Sequence, residues 1–135
     1  MMEKYYMILE SKRNEIQKFE ELLDNINKEF NLPSEKFINF QIACSEAIIN
    51  AIVHGNKEQE NKHVYIEIVF DNQIMMIKIK DEGNGFDINS LPDPTKSENL
   101  FKESGRGIFI IKSLVDEFDC SSSNNGTEYI LKVKK

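Results

Sequence analysis

Apolar residues at Ile16, Phe19, Leu22, Leu23, Ile26 and Phe30 recur every three or four positions, the spacing that puts them on one face of a helix. An amphipathic helix is therefore expected over residues 12–30, with the Ser11 hydroxyl as its cap, and the short apolar run at 5–9 ahead of it predicts an edge strand. Asn31, Leu32 and Pro33 interrupt the pattern; Ser34 then offers a second cap, with Glu35 and Lys36 in the first turn that follows. The next helix, over residues 37–56 and ending at Gly55, differs in kind because it is apolar on nearly every side. Beyond it, residues 64–70 and 74–80 read as strands joined at Asp71, Asn72 and Gln73. In the second of them Met75, Ile77 and Ile79 alternate with Met76, Lys78 and Lys80, which predicts a hairpin with one buried face. Residues 87–104 contain Pro92 and Pro94 and little periodicity, and a loop of that length in a small domain predicts a lid. Gly105, Arg106 and Gly107 lead into a short helix at 108–116. Strands at 117–122 and 127–133 around Asn124, Asn125 and Gly126 close the pattern as a second hairpin.

Composition narrows this to one class. A chain of 135 residues with 40% hydrophobic and 30% charged residues is expected to be a single globular domain spanning 1–135. No apolar run approaches the roughly 20 residues that cross a bilayer, and the first residues, MMEKYYMILESKRNE, lack the apolar stretch and cleavage site of an export signal, so a cytoplasmic location is expected. The net charge of −6 argues against general nucleic-acid binding, which needs a basic face. Cys44 and Cys120 form no CxxC pair and are expected to be buried free thiols.

The chemistry concentrates in three places. Glu46, Asn50 and His54 stand at four-residue steps, so one polar row runs along the apolar helix. Ile42, Ile49 and Val53 flank the row on one side and Ala43 and Ala47 on the other, while Ile48, Ala51 and Ile52 fill the far side. Burying an unpaired carboxylate costs several kcal/mol, so Glu46 is either paired or faces a cavity where something binds. An amide oxygen one turn from a carboxylate suits magnesium, which keeps most of its waters and needs no protein cage. His54 lacks the HExxH spacing and second histidine of a transition-metal site and is expected to be a supporting residue at the helix end; His63 is expected to be an exposed loop residue. Asp81 ends the second strand, with Gly83 and Gly85 after it at DxGxG spacing. Those glycines allow a sharp turn and the close approach of a flat ligand, although a surface turn uses the same residues. Gly105 and Gly107 stand before a helix, where open N–H groups and the dipole attract phosphate, and Arg106 adds charge; a hinge explains two glycines equally well. Neither GxGxxG nor GxxxxGK[ST] is present.

Taken in order, ExxxNAxxHG at Glu46 to Gly55, DxGxG at Asp81 to Gly85 and GxG at Gly105 to Gly107 resemble the N, first-glycine and second-glycine boxes of the GHKL ATPase superfamily. Across essentially its whole length the chain most resembles the anti-sigma factor serine kinases within that superfamily. The resemblance implies a two-layer α/β sandwich of the GHKL (Bergerat) type, with a mixed, mostly antiparallel sheet, helices on one face and an ATP lid over about 86–106. It implies Glu46 as general base, Asn50 as the magnesium ligand, and Asp81 as acceptor of the adenine amino group. Gly83 and Gly85 would shape the adenine pocket with Thr127 near it, and the backbone of Gly105, Arg106, Gly107 and Ile108 would meet phosphate. Lys102 or Arg106 would reach the terminal phosphate. The implied cofactors are ATP and Mg2+. The implied function is that of a cytoplasmic anti-sigma factor with protein-serine kinase activity, which sequesters a sigma factor and phosphorylates an anti-anti-sigma protein. It would act as a homodimer without direct nucleic-acid or membrane contact. The alternatives are a non-catalytic, ATP-dependent regulatory binding module and a stand-alone histidine-kinase-type catalytic domain, for which the chain has no H-box helix pair.

Overall fold

Strands β1 (Glu3–Glu10), β2 (His63–Phe70), β3 (Ile74–Lys80), β4 (Glu117–Ser123) and β5 (Gly126–Lys134) form one sheet in the order β1-β2-β3-β5-β4. The computed structural model describes residues 2–85 and 103–135, with side chains from 107 onward in the second stretch. All four pairings are antiparallel, in keeping with the mostly antiparallel sheet that the sequence predicts. Strict alternation separates the two faces. Ile77 lies opposite Ile68 and Leu131, and Ile79 opposite Ile66 and Tyr129, so buried apolar rows run straight across the three central strands. Helices α1 (Ile16–Phe30), α2 (Ser34–Ile49) and α3 (Glu103–Leu114) cover this face. Phe19 and Leu23 of α1, Phe40, Ala47 and Ile48 of α2 and Ile111 of α3 join the sheet residues in one core. Each large aliphatic side chain buried this way contributes roughly 1.5–3 kcal/mol.

The predicted helices form, but their beginnings differ from expectation. Ser11 caps nothing: it is buried, and its hydroxyl donates to the Lys62 carbonyl at 2.5 Å. A short 3-10 turn, Arg13–Glu15, precedes α1 instead. There the Glu15 carboxylate accepts the Glu10 N–H at 3.0 Å and holds the Lys18 ammonium at 2.7 Å. Ser34 likewise is not a cap, because the helix already includes it and Pro33 occupies the capping position. Proline fixes φ near −65° and has no N–H to leave unpaired, which explains how the chain enters α2 without a side-chain cap. The α1 C-terminus is closed by Asn31 in the left-handed region (φ 60°), with Asn27 accepting the Leu32 N–H at 2.9 Å.

Two further expectations need correction. Ser34–Gly55 is long and apolar enough to span a bilayer by length and composition, contrary to the sequence reading. Its apolarity is explained by packing: Ala43, Cys44, Ala47, Ile48, Ala51 and Ile52 are all buried against the sheet. The helix at the end of the long loop starts at Glu103 rather than 108, so Gly105 and Gly107 lie inside it. The lid expected over 86–106 falls outside the described residues, Pro92, Pro94 and Lys102 included, except for 103–106, which are helical. Cys44 and Cys120 are both free thiols, as expected, but only Cys44 is buried; Cys120, on the edge strand β4, is half-buried.

Candidate functional site

The last turn of the long helix sets the first half of the site. Residues Asn50–Gly55 follow α2 as a π-helical turn, in which the Asn56 N–H reaches the Ala51 carbonyl at 2.8 Å. A wider turn rotates later residues away from a row built on 3.6-residue spacing. The predicted row therefore reduces to a pair: Glu46 is half-buried and Asn50 buried, while His54 is exposed at the helix end. Across from the pair lies α3. A Cβ on Gly107 would sit 3.1 Å from Asn50 Nδ2, 3.2 Å from Asn50 Oδ1 and 3.5 Å from Glu46 Oε2. Gly107 thus brings the backbone of α3 against both polar side chains, so closely to Asn50 that any side chain here would require its amide to give way slightly, while Glu46 would stay at ordinary contact distance. This close approach accounts for a glycine in a helix, where it costs about 1 kcal/mol relative to alanine. With the helix starting at Glu103, the backbone N–H groups of Gly105 and Arg106 fall among its four unpaired donors, while those of Gly107 and the buried Ile108 lie deeper. No cluster of three or more His, Cys, Asp or Glu side chains able to hold a metal exists among the described residues. The oxygen pair at Glu46 and Asn50 instead fits a dication that keeps its own waters.

The second half is built around Asp81. Asp81 is 1% exposed, yet only one oxygen is satisfied: Oδ1 accepts the Gly83 N–H at 3.0 Å and the Thr127 N–H at 2.9 Å, whereas Oδ2 has no partner among the described residues. Burial pushes its carboxyl above the ordinary aspartate range, and the two N–H groups and Lys62 oppose the shift. Glycines close around it on three sides. A Cβ on Gly55 would overlap Asp81 Oδ2, one on Gly83 would overlap the Gly55 carbonyl, and one on Gly126 (φ 129°) would overlap the Asp81 carbonyl. Such a cradle leaves one oxygen of a buried carboxylate without a hydrogen-bond donor among the described residues. Gly85 (φ 80°) turns the chain beside Ser123, and Thr127 shares a 2.8 Å hydroxyl contact with Ser122. Cys120 and Tyr129 pair across β4 and β5 close enough to feel the Asp81 charge. Burial is the main reason the thiol is pushed up to about 11 and the phenol higher still.

Sequence reasoning missed three contributors. Gly126 was legible only as a hairpin glycine, and Gly55 only as a helix terminator; both define the walls around Asp81. Asn56, expected only as the last residue of the helical stretch 37–56, is fully buried, and its Oδ1 accepts the Glu82 N–H at 2.7 Å. His63, expected in an exposed loop, is the half-buried first residue of β2, and its N–H donates to Glu82 Oε2 at 2.5 Å. The reason is register: pairing of Glu10 with His63 extends β2 by one residue beyond the apolar run.

The family model described as a histidine kinase-like ATPase domain matches residues 9–133. Among curated proteins, the chain is 35% identical over 103 residues to the anti-sigma F factor of Geobacillus sp. (strain WCH70), covering 73% of this chain and 69% of that protein. It is 38% identical over 86 residues to the serine-protein kinase RsbW of Staphylococcus aureus (strain MW2), covering 57% of this chain and 53% of that one, so it spans about half the length of that relative. Among solved structures, the RsbU and RsbW domains of a Mycobacterium tuberculosis protein superpose with a TM-score of 0.69 at 14% identity, over 97% of this chain and 31% of that chain. The histidine kinase domain of a blue-light activated histidine kinase from Erythrobacter litoralis gives 0.59 at 15% identity, over 90% and 59%. At such identities the two structures speak to the fold, which they share with this chain.

Proposed function

The chain belongs to the histidine kinase-like ATPase domain family, and on that premise we propose that it is an ATP-binding anti-sigma factor with protein-serine kinase activity. The observation that carries this reading is the unpartnered Oδ2 of Asp81, a buried acceptor walled by glycines, which the exocyclic amino group of adenine would satisfy. Asn50 and Glu46, held open beside Gly107, suit the phosphate end of the same ligand. When bound, magnesium ATP supplies the phosphoryl group and neutralises its charge. The protein then has mainly to position and to move one proton. Asn50 Oδ1 would hold the dication, and the open N–H groups at the start of α3 would face phosphate oxygens. The Glu46 carboxylate would accept the proton of an incoming serine hydroxyl.

The names of the relatives support a sigma factor as the sequestered partner, and an anti-anti-sigma protein as the phosphoryl acceptor completes the switch. A homodimer is supported by the sheet face that the helices leave open, where Tyr6 and Ile8 are 69% and 63% exposed and Tyr65 lies opposite Ile8. Incubation with magnesium ATP and the anti-anti-sigma protein encoded beside it tests the reading, with phosphoserine detected by mass spectrometry. Wild type transfers phosphate and Glu46→Ala does not; ATP binding without transfer to any such protein selects a regulatory binding module instead.

A further inference from the structure

We propose that Asn56 is a positioning residue that gives the nucleotide site its preference for adenine, by clamping the backbone immediately after Asp81. This rests on the reading of Asp81 as the adenine acceptor.

Asn56 follows the π-helical turn and is completely buried, so its amide faces no ligand and no solvent. Its side chain is nevertheless heavily used. Oδ1 accepts the Glu82 N–H at 2.7 Å, and Nδ2 donates both to the His63 carbonyl and to Ser11 Oγ at 3.0 Å. Both amide hydrogens are thereby committed, and Ser11 passes the chain of bonds on by donating to the Lys62 carbonyl at 2.5 Å. One side chain therefore joins the residue after β1, the start of β2 and the residue between Asp81 and Gly83. Glu82 is gripped a second time, since its carboxylate accepts the His63 N–H.

What this grip controls is the direction of the Asp81 carboxylate. Oδ1 of Asp81 is fixed by the N–H groups of Gly83 and Thr127. The first of these donors stays in place only while the Glu82 peptide keeps its orientation. With Oδ1 fixed, Oδ2 has a single direction, against the Cα of Gly55. Telling adenine from a purine with a carbonyl at the same ring position depends on that direction, because an amino group there donates to the carboxylate whereas a carbonyl oxygen there cannot. Among the described residues, the side-chain bonds of this network reach neither Asn50 nor Glu46. Loosening Asn56 should thus erase base preference more than it erases phosphate binding. A residue that served stability alone would weaken all nucleotides in parallel.

The experiment measures, on the full chain with magnesium, the calorimetric affinities for ATP and for inosine triphosphate, which carries a carbonyl in place of the amino group. Wild type should prefer ATP by at least about tenfold, the scale of one hydrogen bond to a charged group. In Asn56→Ala that preference should fall to about threefold or less while inosine triphosphate affinity changes little. Ser11→Ala, which removes one partner of the amide, should give an intermediate ratio and serves as the readout if Asn56→Ala does not fold. A folded Asn56→Ala, or Ser11→Ala in its stead, that keeps the wild-type ratio overturns the proposal. Asp81→Asn separates the two levels. If it leaves ATP affinity unchanged the adenine reading itself is wrong; if it removes the preference while the Asn56 and Ser11 variants retain it, only the role of Asn56 fails.

Discussion

Gly107 of α3 faces Asn50 so closely that a single added carbon would stand 3.1–3.2 Å from both polar atoms of the Asn50 amide. Gly107→Ala sets two effects against each other. Alanine is better than glycine in a helix by about 1 kcal/mol, whereas the amide has to rotate away to admit the methyl group. The melting temperature should stay level or rise, and magnesium-dependent ATP affinity should fall about tenfold or more. Paired thermal melts and calorimetry check this; a parallel loss of stability and affinity would mean that Gly107 serves packing alone.

Gly55→Ala should behave differently, because its methyl group would overlap Asp81 Oδ2, whose carboxylate is held in place by the Gly83 and Thr127 N–H groups. Over-packing of this kind costs roughly 1–3 kcal/mol. Urea unfolding should show a loss in that range together with loss of nucleotide binding, whereas unchanged stability would show that the wall yields.

The buried Asp81 carboxyl predicts a pH signature. Its folded-state pKa is raised, chiefly by burial, so its contribution to stability is fully present below the unfolded value near 3.8 and is lost as pH rises through the folded value. At neutral pH, without ligand, Asp81→Asn should therefore be at least as stable as wild type, because Asn keeps an oxygen for the Gly83 and Thr127 N–H groups. That advantage should shrink as the pH is lowered toward 4. Melting temperatures of both proteins between pH 4 and 8 test this, and a neutral-pH deficit in Asp81→Asn would contradict it.

Cys44 and Cys120 should resist alkylation in the folded protein. Burial raises the Cys44 thiol well above its usual range and the Cys120 thiol to about 11, so little thiolate exists at neutral pH. Rapid modification of either thiol by iodoacetamide without denaturant would show that β4 or α2 opens locally.

Much of this was legible in the sequence where local periodicity decides. Phe19, Leu23, Ile26 and Phe30 mark one helical stripe, and Met75, Ile77 and Ile79 mark one strand face, in both the pattern and the structure. Asp81 was legible because DxGxG couples a carboxylate at a strand end to a glycine turn. The misses share a physical cause, which is a partner distant in sequence. Ser11 answers to Lys62, His63 to Glu82, and Asn56 to all three of the segments it joins. Gly105 and Gly107 look like helix breakers, and only the approach to Asn50 makes a helix through Gly107 intelligible. The π-helical turn has no marker in the residue pattern, so the step from Asn50 to His54 was read as one row.

The central claim is that Asp81 Oδ2 receives the base of ATP. Calorimetric titration of wild type and Asp81→Asn with magnesium ATP tests it most directly. The account predicts measurable binding to wild type and a loss of about tenfold to a hundredfold in the variant, the scale of a hydrogen bond to a charged group. Equal affinities in the two folded proteins would contradict it.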